Sequence, residues 1–251
     1  MKFKVGILAF AILACHFSLS AQTAEINHLE IGLNQNKTGN YADALRNFTL
    51  EIEKTAANPN PIAFYNRGFA KYNLKDFQGA ILDFNKALEL KPNYFEAFIA
   101  RGQSYSKQDN HPLAIQDYNE AIRLNPLEGT AYLSRGISKN KLENYRGAIA
   151  DFNKSLELLP DYAPTLAVRA DSKSKLGDYA GSIEDFNKAI EITPKRTNYL
   201  AGRAFAKMKI ADFKGALADF TEVLKLSPEK SEDWYYSGLC KAQLENYRGE
   251  N

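Results

Sequence analysis

Histidine and cysteine are the side chains most readily turned to acid–base, nucleophilic or metal chemistry near neutral pH. This chain has three of the first and two of the second. They are scattered: Cys15, His16, His28, His111 and Cys240. No Cys–His or Ser–His–Asp set, phosphate-cradling glycine loop, HExxH helix or metal-ligand spacing links them. Two cysteines cannot build a four-thiolate zinc site or a disulfide framework. His28 stands by itself in the first helix. His111 replaces an aromatic in the column Tyr41, Phe77, Tyr145, Tyr179, Phe213. Cys240 falls in a column of small residues, Ala70, Ser104, Ser138, Ala206. Packing accounts for both, with an intermolecular disulfide through Cys240 as the weaker alternative. An acid–base enzyme needs two carboxylates set apart in a cleft, and nothing singles out such a pair. The chain reads as a non-enzyme with no metal and no cofactor.

The chemistry that does recur is ionic. Arg67, Arg101, Arg135, Arg169 and Arg203 are spaced by 34, and so are Asp83, Asp117, Asp151, Asp185 and Asp219. The two columns occur together in five units; the first unit has Ile31 and Asn47 instead. An uncompensated charge near a helix interface is costly. The columns are therefore read as a structural ion-pair ladder, within or between units, in preference to a charged ligand stripe. A further basic column runs through Lys37, Lys107, Lys141, Lys175 and Lys209.

A 34-residue period positions these charges. Pro92, Pro126, Pro160, Pro194 and Pro228 keep it; so do Gly68, Gly102, Gly136, Ala170, Ala204 and Gly238. Ala80, Ala114, Ala148, Ser182 and Ala216 share the step, with Phe84, Tyr118, Phe152, Phe186 and Phe220. Four columns in one phase define repeats, at about 25–58, 61–94, 95–128, 129–162, 163–196 and 197–230, with a partial seventh over 231–251. Each unit reads as two helices. Asn40, Asp76, Asn110, Asn144, Asp178 and Asp212 have the side chains that accept from free N–H groups, so they cap the second helix. The prolines follow its end. The glycines lie inside the first helix, where close approach of the second explains them, with the alanines opposite and the aromatics filling the gap beside.

These columns resemble those of the tetratricopeptide repeat, over about 25–249. The family's aromatic or Leu early in the first helix is here Phe64, Tyr132, Leu200 and Trp234, followed by the small column, Ala, Phe or Tyr, Ala and Pro. The Arg and Asp columns depart from the usual Leu and Tyr. The resemblance implies an all-α fold: a right-handed superhelical solenoid of about six helix-turn-helix repeats plus a partial seventh. It also implies a concave groove lined by first helices. By carry-over its candidate partner-binding residues are Tyr65, Phe69, Tyr72, Ile99, Gln103, Lys107, Leu133, Ile137, Lys141, Lys175, Phe205 and Lys209, in columns that also hold Asp171 and Ala201. Tyr65, Phe69 and Tyr72 form the densest aromatic patch. The expected partner is a protein or extended peptide segment with an apolar anchor and some negative charge. The family's carboxylate clamp is not supported, because its columns are mostly apolar here.

The ends carry separate messages. Lys2 and Lys4, an apolar run from Val5 to Ala14 and the exit Ser18-Leu19-Ser20-Ala21 describe a signal peptide over 1–21. That leaves 22–251 for the solenoid and implies export to the periplasm or cell envelope. The rival is a lipobox, Ile12-Leu13-Ala14-Cys15, which would make a membrane-anchored lipoprotein lipidated at Cys15, the one route to membrane contact. Two of the 32 basic residues lie in that segment, which has no acid, so residues 22–251 carry 30 bases against 30 acids. A neutral chain is not built to bind nucleic acid. At the other end, Leu244–Gly249 repeats Leu142–Gly147 in sequence, and Trp234, Tyr235 and Tyr236 crowd the last unit. Either this end self-associates, or the sequence is a truncated piece of a longer protein that carries an enzymatic or signalling domain. The leading function is a non-catalytic protein- or peptide-binding scaffold or adaptor in the bacterial envelope, with a lipid-anchored assembly factor as the alternative.

Overall fold

The computed structural model describes residues 27–229 and 231–249. The segment read as a signal peptide, Cys15 included, lies outside them. The described residues form helices and no strand. Six helix pairs succeed one another: α1 (His28–Lys37) with α2 (Tyr41–Lys54), α3 (Pro61–Asn73) with α4 (Phe77–Leu90), α5 (Phe95–Lys107) with α6 (His111–Leu124), α7 (Gly129–Lys141) with α8 (Tyr145–Leu158), α9 (Ala163–Lys175) with α10 (Tyr179–Ile192), and α11 (Thr197–Lys209) with α12 (Phe213–Leu226). α13 (Ser231–Gly249) packs on α12.

Each helix boundary has a chemical cause. Asp76, Asn110, Asn144, Asp178 and Asp212 accept a hydrogen bond from the N–H three residues on, which satisfies a free donor of the second helix. Asn40 instead turns its amide to Asp43 Oδ2 (2.7 Å). The residue before each cap adopts positive φ: Gly39, Lys75, Asp109, Glu143, Gly177 and Ala211. It sits at the left-handed corner of a Schellman turn; in the fourth unit Asn144 N–H reaches back to Lys139 C=O (2.9 Å). At the far end of the unit, Lys91, Asn125, Leu159, Thr193 and Ser227 are extended, with φ between −135° and −148°. Each precedes a column proline, which disfavours helical geometry in the residue before it.

Sequential helices pack as neighbours, and successive first helices (α1, α3, α5, α7, α9, α11) also touch one another. The second helices make no comparable contact. The stack is therefore closed on the first-helix side and splayed on the other, which makes the first helices the inner layer. The core repeats: Ala44 and Phe48, Ala80 and Phe84, Ala114 and Tyr118, Ala148 and Phe152, and Ala216 and Phe220 are all fully or almost fully buried. The aromatic does not merely fill a gap beside the glycine column; its ring lies directly on it. A Cβ at Gly136 would stand 2.5 Å from Phe152 Cε1. In the fifth unit Ala170 already fills that space, and Phe186 presses instead on Gly202 of the following unit, where a Cβ would stand 2.4 Å from its Cζ.

The last helix departs from the pattern. Leu142–Asn144 makes the turn between α7 and α8 and Tyr145–Gly147 opens α8, whereas the same six residues at Leu244–Gly249 continue α13 as helix throughout. The turn holds Glu143 at φ 60°, a strain of about 1–2 kcal/mol. Packing of α8 on α7 offsets it.

Candidate functional site

The Arg and Asp columns meet inside each unit. Arg67 Nε donates to Asp83 Oδ2 (3.0 Å) and Nη2 to Oδ1 (2.7 Å). The same bidentate fork joins Arg101 to Asp117, Arg135 to Asp151, Arg169 to Asp185 and Arg203 to Asp219. All five aspartates are buried. Two partners went unseen in the sequence. The Nη1 groups of the last four arginines reach back to Asn85, Asn119, Asn153 and Asn187 of the preceding unit, at 2.6–2.8 Å. Lys71, Lys139, Lys173 and Lys207 bind the aspartates from one helical turn further on, at 2.8–2.9 Å. The ladder thus ties five units internally and the last four of them to their predecessors. The third unit lacks the lysine and has Tyr105 in its place. There burial pushes the Asp117 carboxyl above its ordinary range, with Arg101 pulling it back.

The first unit has a neutral version. His28 Nδ1 pairs with Asn47 Oδ1 (2.9 Å), and Asn47 Nδ2 donates to Gln35 Oε1 (2.9 Å). His28, isolated in the sequence, therefore has a structural partner. His111 is buried beside Asp109. Cys240 is free and fully buried against Ala204, Ala216 and Phe220, and burial raises its thiol pKa. No group of three or more metal-ligating side chains occurs among the described residues. No described helix is long and apolar enough to cross a membrane.

The inner layer carries the clefts, and it divides the aromatic trio. Tyr65 is drawn into the junction with the next unit, its ring 5.0 Å from Tyr94 and 5.8 Å from Phe84. That burial raises its phenol pKa. Tyr72 lies against Phe77 at 5.5 Å, and Phe69 alone is more than a third exposed. A cleft of about 210 Å³ opens beside Tyr72, lined also by Gln103, Lys107 and Ile137. Ile99 and Leu133 are half-buried, and Lys141 is exposed outside it.

The larger clefts lie further along, on either side of Phe205. One, of about 610 Å³, is lined by Asp171, Lys175, Tyr179 and Lys209. The other, also about 610 Å³, is lined by Asn198, Glu229, Glu232 and Asp233. Gly202 and Phe205 belong to both. Phe205 is 39% exposed. Its ring is held edge-on by Phe220 (5.3 Å) and Tyr236 (4.6 Å). Asp171 keeps contact with solvent, yet the groove walls displace bulk water around it. That desolvation pushes its pKa up to about 6 while Lys175 pulls it down. At the far end Trp234 is 57% exposed, with its Nε1 donating to Pro228 C=O (3.0 Å).

Stacked helix pairs with a cleft-bearing inner layer define an α-helical repeat scaffold. Family models described as "Tetratricopeptide repeat" match residues 61–94, 95–126 and 163–196. The chain thus carries tetratricopeptide repeats at these positions. Its fold resembles that of PilW, described as a widely conserved type IV pilus biogenesis factor (TM-score 0.74, 17% identity, 83% of this chain and 96% of that one). It also resembles YrrB, described as a TPR protein with an unusual peptide-binding site (TM-score 0.63, 18% identity, 75% and 96%). A third likeness is to MamA from Desulfovibrio magneticus RS-1 (TM-score 0.60, 24% identity, 69% and 99%). No curated protein matches the sequence significantly.

Proposed function

We propose that this chain is a non-catalytic adaptor that holds an extended segment of a partner protein in its inner groove, and that it works in the bacterial cell envelope. The observation that carries the binding reading is the pair of clefts around Phe205. Each lies within the roughly 300–1,000 Å³ range of pockets that bury a ligand, and an immobilised aromatic stands between them. Rigid, partly exposed aromatics supply contact area at little entropic cost on binding. YrrB, with its peptide-binding site on a similar fold, lends the reading support. The envelope reading rests on the basic start, apolar run and small-residue exit of residues 1–21.

A photo-crosslinking residue at Gln103 should capture a partner in cells that make the protein, and one at Leu82 on the outer helix α4 should not. Equal capture from both positions, or none from Gln103, refutes groove binding. Mass spectrometry of the envelope-associated chain tests export. A first residue at Gln22 supports simple secretion, and a lipid on Cys15 supports the anchored form. An intact chain confined to the cytoplasm overturns both.

A further inference from the structure

We infer that the two clefts around Phe205 read a dipolar segment of the partner: an apolar side chain on Phe205, an acidic one between Lys175 and Lys209, and a basic one against Glu229, Glu232 and Asp233. This rests on the groove-binding reading above and names the ligand's chemistry.

The charges are sorted by cleft. The first offers two lysines against one aspartate, and the second offers three acids and, among the described residues, no cation. Glu232 and Asp233 stand in the first turn of α13, where the helix dipole favours negative charge. The dipole accounts for their sign but not for the placement of Asp233. That side chain is only 6% exposed and lines the cleft. It has no hydrogen-bond or ion-pair partner among the described residues. A carboxylate that lines a cleft with no partner of its own is a ready counter-charge for a cation delivered there.

The passage between the clefts is also built. Gly202 has no side chain to divide them, and the equivalent residues of the other units are Glu30, Asn66, Ala100, Ser134, Val168 and Tyr236. The glycine is required because Phe186 presses on it from below. An extended chain can therefore cross from the basic cleft to the acidic one over bare backbone, with its central side chain on Phe205. Opposite charges at the two ends favour a ligand that carries both signs and oppose one that carries a single sign.

The test uses the purified full chain and three fluorescein-labelled synthetic nonapeptides, each with a central Phe in Ser/Gly spacers. One carries Glu at one end and Lys at the other, one carries only Glu, and one only Lys. Fluorescence anisotropy should show the dipolar peptide binding at least about tenfold more tightly than either other. Glu229→Lys with Glu232→Lys should move the preference to the all-Glu peptide. Lys175→Glu with Lys209→Glu should move it to the all-Lys peptide. The four substitutions together should restore dipolar binding, because an extended peptide can turn end for end. All four positions are exposed, and circular dichroism checks that each variant is folded. Equal affinity for the three peptides, no binding of any, or charge variants that leave the order unchanged each overturn the inference. The groove reading stands or falls separately, on the crosslinks from Gln103.

Discussion

Removing one arginine from the ladder should cost different amounts in adjacent units, and the structure says which is worse. Arg101→Leu and Arg135→Leu delete the same fork, the same bond to an asparagine of the preceding unit, and a similar guanidinium–ring contact, to Phe98 or Tyr132 at 5.5 Å. Those losses cancel in the comparison. What differs is the cation left behind. Asp151 keeps Lys139 at 2.8 Å, whereas the position of that lysine is Tyr105 in the third unit and Asp117 keeps no ion pair but the one to Arg101. Breaking a buried pair by removing one partner costs about 3–5 kcal/mol. Arg101→Leu belongs at the top of that range, and Arg135→Leu about 2 kcal/mol lower. For a chain of this size about 1 kcal/mol moves Tm by about 2–4 °C, so the two variants should differ by about 4–8 °C. Thermal and urea unfolding followed by circular dichroism measure this. Hydrogen exchange across α5–α8 guards against piecewise unfolding of the array. Arg101→Leu with Asp117→Leu should recover at least half of the loss, since no buried charge is then left unpaired. If the two single variants are equally destabilised, or both lose under about 0.5 kcal/mol, the ladder is not what holds the units together.

Four further outcomes rest on particular contacts. Tyr105→Lys should supply the missing cation, stabilise by about 1 kcal/mol and lower the raised Asp117 pKa in an NMR titration; an unchanged carboxyl would contradict the assignment. Because that pKa is raised in the folded state, the wild-type rung weakens as pH rises through the carboxylate range, and the variant should lose this dependence. Gly136→Ala drives a Cβ into Phe152 and should destabilise by about 1–3 kcal/mol despite better helix propensity. Gly238→Ala, in the same column with nothing within 4 Å, should be neutral or stabilising, which makes the pair its own control. Ala211→Gly relieves a left-handed residue at φ 61° and should stabilise by about 0.5–1 kcal/mol after the entropy of glycine is counted. Asp171 holds its proton up to about pH 6 when folded. Its unfavourable contribution is therefore absent below the ordinary carboxylate pKa, grows as pH rises from there to about 6, and is fully present above. Asp171→Asn should raise Tm at pH 8 and leave it unchanged at pH 3.5, and a gain of equal size at both would refute the desolvation.

The frame was legible because each of its columns meets one physical need. An Asx side chain caps, a proline stops, a glycine admits a ring, and an Arg column that appears only with an Asp column announces a pair. What stayed hidden were positions whose residue type does not reveal their environment. Lys71, Lys139, Lys173 and Lys207 keep the period but look like solvent lysines, and only the fold brings them to buried carboxylates. Lys75, Asp109, Glu143 and Ala211 give little sign of a left-handed turn, because packing of the two helices imposes it. The hexapeptide shared by Leu142–Gly147 and Leu244–Gly249 makes the same point. Local sequence alone therefore does not set its conformation. The groove was harder still. Aromatic density pointed to Tyr65, Phe69 and Tyr72, but a junction between units consumes Tyr65 and leaves mainly Phe69 open.

A repeat array that bound its partner through repeating columns would bind it equally well in any register. Specificity has to come from positions where the period fails. Along the inner layer one column reads Phe69, Gln103, Ile137, Asp171 and Phe205, and another reads Asn66, Ala100, Ser134, Val168, Gly202 and Tyr236. Neither keeps a type. Asp171 is the only acid in the first run and Gly202 the only glycine in the second, and both line one cleft with Phe205. The ladder shows the reverse: five near-identical forks, none of them lining the three clefts described above. The two sets divide the labour. Columns that repeat hold adjacent units at a fixed pitch. Because that pitch is fixed, single departures in neighbouring units can meet across a junction and shape a site that no one unit contains.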